Sequence, residues 1–146
     1  MKVFIENEAG SDVKNIFNEE TLEFKKAVQV SSNYPFPYGF VVNTRSGDGD
    51  CLDCFVITSR SLKSKDIVEA EIIGMFEQIE DGKEDHKILA ILPGEVVIIT
   101  EEIKEIFRDF VKNVFSHRPG KTISIGRFLG KDEGTTLLDK SSRNGV

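Results

Sequence analysis

The apolar residues of this chain change period once, at Pro93-Gly94, and that change constrains the fold more than any other feature. Before it the sequence is punctuated like a β-protein. Val3-Phe4-Ile5 is a short apolar run, and Leu22 to Val30 alternates partially through Leu22, Phe24, Val28 and Val30. Two prolines make the stretch Ser31 to Pro37 a loop. Gly39 to Thr44 and Leu52 to Thr58 read as strands joined by the turn Arg45-Ser46-Gly47-Asp48-Gly49. A longer pair follows, Ile67 to Phe76 and Lys87 to Leu92, around Glu80-Asp81-Gly82-Lys83, and Asp-Gly is a strong hairpin signal.

After Pro93-Gly94 the spacing becomes helical. Val96 to Ile99 is too short to assign by periodicity, but Ile103, Ile106, Phe107, Phe110, Val111, Val114 and Phe115 fall on one helical face. Glu101 and Glu102 sit in the first turn, where carboxylates suit the helix dipole. Pro119-Gly120 ends the helix, and Thr122 to Phe128 is a candidate strand. The expectation is a mainly β domain over residues 1–130: a small mixed sheet or barrel of five or more strands with one long amphipathic helix over 101–116. The C-terminal tail, 131–146, carries weak signals and is read as a short helix or a frayed end.

Bulk properties exclude several classes. A chain of 146 residues suits one domain. With 19 basic and 25 acidic residues, a net charge of −6 argues against a nucleic-acid or anionic-membrane footprint. Acidic residues interrupt the N-terminus after three apolar ones, so no signal-peptide core is read there. No apolar run approaches the ~20 residues of a membrane span. The expectation is a cytoplasmic protein with no nucleic-acid or membrane partner. Cys51 and Cys54 form a Cys-x-x-Cys. Zinc would need two more soft ligands, with only His86 and His117 available, and a redox pair wants a helix N-terminus. They are read as buried small hydrophobes.

The chemistry concentrates in two acidic turns. Asp48, Asp50 and Asp53 lie within six residues, at a turn entering a strand. Aspartates at i and i+2 of an extended segment point the same way, whereas Asp53 joins them only if the chain bends between. Crowded carboxylates repel unless a cation sits between them, and hard oxygen ligands select Mg²⁺, Mn²⁺ or Ca²⁺. The second cluster is Glu80-Asp81-Gly82-Lys83-Glu84-Asp85-His86-Lys87. Asp85 and Lys87 stand two apart, so on a strand they share a side. A cation beside metal-binding carboxylates suggests an anionic substrate bridging metal and lysine, phosphate being the usual case. Either turn alone reads as an exposed, inert hairpin; together they point to a site.

These residues resemble a known family. Asp48-Gly49-Asp50-x-x-Asp53 is similar to the signature of the family I soluble inorganic pyrophosphatases, with Tyr38-Gly39-Phe40 standing upstream as that family's Tyr-Gly-Tyr/Phe does. Glu80-Asp81-Gly82-x-x-Asp85-x-Lys87 resembles its second acidic hairpin. Val3-Phe4-Ile5-Glu6 with Lys14, and Gly120-Lys121 with the strand to Phe128, resemble its first and last strands. The resemblance implies a five-stranded OB-like β-barrel with helices beside it, and hydrolysis of Mg²⁺-pyrophosphate to two phosphates, Mn²⁺ being a possible substitute. It implies Asp48, Asp53, Asp85, Glu80 and Glu6 as metal ligands. Asp50 would deprotonate the water, and Tyr38 would hydrogen-bond near the water and phosphate. Lys14, Lys26 and Lys87 would neutralise phosphate oxygens. It also implies a homo-oligomer, since bacterial members build a hexamer.

The chain departs from the pattern on the phosphate side. Lys26 stands where an Arg is usual, which keeps the charge and loses the bidentate fork. Ile16 stands where a Glu is usual. The family's helix carries a phosphate-binding Tyr-Lys pair; the stretch read for it here is Phe110-Val111-Lys112, leaving Lys112 as the candidate. His117 and Arg118 just beyond read more simply as a solvated helix end. These departures keep open an alternative, a weakened or inactive module that binds metal and phosphate or a protein partner. An OB-type nucleic-acid binder is a weaker third reading, disfavoured by the acidic charge.

Overall fold

A computed structural model describes residues 1–46, 49–118 and 120–142. The strands are β1 (Lys2–Asn7), β2 (Val13–Phe17), β3 (Phe24–Gln29), β4 (Tyr38–Val41), β5 (Asp53–Val56), β6 (Ile67–Glu69), β7 (Glu71–Glu80), β8 (Lys83–Glu84), β9 (Lys87–Ile91) and β10 (Ile123–Gly130). The helices are α1 (Glu101–Asn113) and α2 (Lys131–Ser141). The chain is mainly β, as expected. One sheet runs β10-β7-β9-β5-β4-β1-β6, with β8 paired to β7, and β2-β3 form a separate ribbon. The sheet therefore holds more strands than a five-stranded core, because β6 and β10 extend its two ends.

Inner strands have both faces covered. All of Tyr38–Val41 and all of Lys87–Ile91 are buried. Pairing then decides which residue meets which core. Phe40 lies opposite Asp53, and Tyr38 opposite Phe55, between β4 and β5. Asp53 lies opposite Lys87 in the parallel β5–β9 pair, and Lys87 opposite Phe76 between β9 and β7. Paired residues share a face and side chains alternate. Tyr38, Phe40, Asp53, Phe55, Lys87 and Phe76 therefore project together, while Cys54, Ile88 and Ala90 project into the opposite core.

The Tyr38 face is covered by α1. Thr100 caps it, its side chain accepting from the Ile103 backbone N–H, and Phe107, Phe110 and Val111 are buried. Phe107 meets the rings of Phe36, Phe55, Phe76 and Phe128 at 4.9–6.3 Å. The helix stops at Asn113, short of the expected 116, as the chain turns toward Gly120 at φ +86°. The opposite core takes Leu137 and Leu138 of α2, so most of the tail is a packed helix. Its Gly134 lies where a Cβ would come within 2.8 Å of Ile72. Such close packing on β7 leaves little room for the apolar periodicity that marks a helix in sequence.

β1 and β4 also approach closely. A Cβ on Gly39 would lie 1.8 Å from the Phe4 carbonyl oxygen, so only glycine fits there. The Asp-Gly hairpin forms as expected, with Asp81 and Gly82 at φ +50° and +83° between β7 and β8. Cys51 and Cys54 are free and buried. Burial pushes both thiols up, Cys51 to about 11, so they behave as apolar side chains. Among the described residues no helix is long and apolar enough to cross a membrane.

Candidate active site

A cavity of about 470 Å³ opens where the Tyr38 face, the β2–β3 ribbon and the end of α1 meet. Glu6, Lys14, Tyr38, Asp50, Asp53, Glu80, Asp85 and Lys87 all line it. Residues from both acidic turns therefore reach one space. Asp48 lies outside the described residues. Lys26 and Lys112 are exposed and are not among the lining residues.

The β5–β9 register builds the centre. Lys87, opposite Asp53 across the strands, donates from Nζ to Asp53 Oδ2 at 2.5 Å. It also donates to Asp85 Oδ2 at 3.0 Å and to the Tyr38 hydroxyl oxygen at 3.1 Å. Burial works against the Lys87 charge, but Asp53 and Asp85 outweigh it and keep the ammonium protonated. Burial also pushes the Asp53 carboxyl up, yet Lys87 leaves it below the ordinary carboxylate value. Asp85 fares differently. Burial and the Asp53 charge overcome Lys87 and push it up to about 8. One cation thus serves two carboxylates, and Asp53 holds the shorter bond.

Two side chains reach the cavity through β-bulges. Between β1 and β4, Ile5 pairs with Gly39 and Asn7 with Tyr38, which leaves Glu6 as the extra residue. Between β2 and β3, Ile16 pairs with Lys26 and Phe17 with Phe24, which leaves Lys25 extra. A bulge re-aims its extra side chain. This explains why Lys25 lines the cavity while its neighbour Lys26 does not. Glu6, buried beside Asp53, is pushed up to about 8, chiefly by burial.

Sequence reasoning did not single out Glu19 or Gln78, which also line the cavity. Glu19 accepts from the Cys51 backbone N–H at 3.0 Å, tying the ribbon to the acidic run. Burial raises its carboxyl, with Asp50 and Asp53 adding to the effect. Gln78 donates to Asp85 Oδ2 at 3.3 Å. It stands two residues before Glu80 on β7, so strand parity was a usable signal for it. Glu19 carried no such signal, because its contact spans 32 positions of chain. Tyr34 lies 5.2 Å from the Tyr38 ring and 4.8 Å from Phe110, and burial raises both tyrosine hydroxyls so that they stay neutral.

Among the described residues no three Asp, Glu, His or Cys side chains converge as a ready metal cage. The donor set nevertheless fits a hard divalent cation. Its members are carboxylates, and two of them, Glu6 and Asp85, resist ionising without a nearby positive charge beyond Lys14 and Lys87.

The family model described as inorganic pyrophosphatase matches residues 3–142. An inorganic pyrophosphatase of Nanoarchaeum equitans is 30% identical over 97% of this chain and 94% of its own. One of Thermoplasma volcanium is 33% identical over 93% of this chain and 88% of its own. In structure, the chain is similar to an inorganic pyrophosphatase from Neisseria gonorrhoeae, with a TM-score of 0.89 and 22% identity over 97% of this chain and 88% of that one. With a sequence match over nearly its whole length and carboxylates, lysines and Tyr38 lining one cavity, this chain belongs to the inorganic pyrophosphatase family.

Proposed function

We propose that this protein hydrolyses inorganic pyrophosphate to two phosphates with a divalent cation, Mg²⁺ first and Mn²⁺ as a substitute, in a site built from Asp48, Asp50, Asp53, Asp85, Glu80, Glu6, Tyr38 and the lysines. The observation that carries the proposal is the Asp53–Lys87 register, which gathers Asp53, Asp85, Lys87 and Tyr38 at one point of the cavity. Asp53, Asp85 and Asp48 would hold the activating metal, with Glu6 and Glu80 facing metal that arrives with substrate. Bound there, the metal supplies water acidified to near-neutral pKa and screens phosphoryl charge.

The remaining work falls to this chain's own groups. Asp50, which lines the cavity, accepts the proton of the attacking water as general base. Lys87 donates to the Tyr38 oxygen, so the Tyr38 proton points elsewhere and is available to water or a phosphoryl oxygen. Because burial keeps Tyr38 neutral, it acts as a donor throughout. Lys14 and Lys87 offset charge that builds on the leaving phosphate, which is most of what phosphoryl transfer asks of a protein. Lys25, aimed into the cavity by its bulge, takes the position proposed for Lys26. Phe110, Val114 and Phe115 form an apolar wall that limits water.

The test is phosphate release from pyrophosphate in Mg²⁺ or Mn²⁺. Asp50→Asn should lower kcat by roughly 10²–10⁴, the range for losing a general base, while metal binding by calorimetry persists. Folded protein with no turnover in either metal would sink the proposal.

A further inference from the structure

Beside the α1 end of the cavity, two cations that do not line it join the lining residue Lys14 around one aromatic ring. Three cations surround the ring of Phe115, a residue that lines the cavity. Lys121 Nζ lies 4.4 Å from the ring centroid, Lys14 Nζ 5.4 Å and Arg118 Cζ 5.5 Å. They come from three separate segments: the β2–β3 ribbon, the turn after α1, and the lead into β10. Each segment is fastened. The Ser31 N–H donates to the Val114 carbonyl at 2.8 Å, tying the end of the ribbon to the end of the helix. The Arg118 N–H closes back on the Phe115 carbonyl at 2.9 Å. Thr122 and Asp81 exchange two bonds, Thr122 N–H to Asp81 Oδ1 at 2.9 Å and Asp81 N–H to the Thr122 carbonyl at 2.8 Å. That clip holds Lys121 against the second acidic hairpin.

The ring stabilises each cation by only about 0.5–1 kcal/mol at a partly exposed position, and three like charges gathered around it leave the group positive. Of the three, only Lys121 is ion-paired among the described residues, to Glu80 Oε1 at 3.0 Å, and Glu80 itself faces the cavity; Lys14 acts at longer range on Glu6 and Asp53. An anion among the three would satisfy the arrangement. This is also the side on which the helix lacks its tyrosine: Phe110, Val114 and Phe115 present no polar atom there.

We propose that Lys121 and Arg118, together with Lys14, hold phosphoryl oxygens of the substrate and of product phosphate at the Phe115 side of the cavity. The inference rests on the pyrophosphatase reading and gives this chain's substitute for the missing helical contact. In it the anion-holding charge comes from the α1–β10 connection rather than from the helix.

The test compares Lys121→Met, Arg118→Met and Lys121→Arg with the wild type at saturating Mg²⁺, so that loosening Glu80 does not limit metal loading. Two quantities are read: KM against kcat for pyrophosphate, and the affinity for inorganic phosphate by calorimetry. Each Met variant should raise KM and weaken phosphate binding roughly tenfold, the scale of one charged hydrogen bond, with kcat changed less than about threefold. Lys121→Arg should recover most of the loss. Unchanged KM and phosphate affinity in both Met variants, or a loss confined to kcat, overturns the inference. If the wild type shows no turnover, the hydrolase reading fails and the phosphate arm decides alone. Weaker phosphate binding in the Met variants then upholds the cation site; equal binding, or none by the wild type, overturns it.

Discussion

Replacing Lys87 with methionine isolates the charge at the centre of the site. Methionine keeps most of the apolar stem, so core volume is nearly preserved. What disappears is an ammonium within 2.5 Å of Asp53, 3.0 Å of Asp85 and 3.1 Å of the Tyr38 oxygen, on a residue only 5% exposed. Breaking a buried pair on one side costs about 3–5 kcal/mol, because the remaining charge is left uncompensated. Asp85 escapes part of that cost, since at about 8 it is already largely protonated at neutral pH. The loss therefore falls mainly on Asp53.

The sign follows from Asp53. In the wild type its folded pKa lies below the ordinary carboxylate value, so it contributes stability above that value and loses it as pH falls through the folded one. Without Lys87, burial dominates and the folded pKa rises above the ordinary value. The variant then loses stability as pH climbs from about 4 through the raised folded value. The gap between wild type and variant should widen with pH. Urea unfolding of metal-free protein at pH 5 and pH 8 measures it. The gap at pH 8 should exceed that at pH 5 by about 1.4 kcal/mol or more, one pKa unit of differential interaction. Mg²⁺ should narrow it by standing in for the ammonium. Equal gaps at both pH values, unaffected by Mg²⁺, would refute the reasoning and assign Lys87 to packing alone.

Three further outcomes follow from the fold. Gly39→Ala puts a Cβ against the fixed backbone oxygen of Phe4, so it should cost more than about 4 kcal/mol, seen as loss of a cooperative thermal transition; a melt near wild type would mean that β1 and β4 can separate freely. Thr100→Ala removes the cap on Ile103 and should cost about 1 kcal/mol in urea, with Thr100→Ser restoring most of it. Phe107→Ala empties a fully buried position touching four rings and should cost about 3–5 kcal/mol by the same measurement.

The parts legible in sequence are those in which one segment carries its own signal. α1 is legible because the apolar side chains from Ile103 to Val111 follow one face and Thr100 precedes them. The β7–β8 turn is legible because Asp81 and Gly82 tolerate positive φ. Asp85 and Lys87 were expected on one side from their spacing, and their charged ends meet. Asp53 required a bend to join Asp50, and the chain does bend: Gly49 adopts φ +90° and β5 begins only at Asp53. The ribbon strand Val13–Phe17 was not legible, because its alternation is weak, and the sequence leaves the tail open between a short helix and a frayed end, because α2 packs through glycine and a few leucines.

What the sequence could not disclose about the site is a matter of parity. Period-two reasoning assumes that every residue of a strand has a partner. At Glu6 and at Lys25 that assumption fails, because each is the extra residue of a bulge, and each is turned toward the cavity. A strict alternation through Phe24, Lys25 and Lys26 says only that the two lysines point opposite ways; the bulge decides which one faces the cavity. Glu6 could be named beforehand only by resemblance. A bulge depends on the register of two strands, and β1 and β4 pair across more than thirty residues. The same holds for Asp53 and Lys87, which meet because two parallel strands choose one register. Local motifs can therefore identify the chemical groups of such a site, while their aim comes from strand pairing, and sequence reading is weakest where a strand breaks its own period.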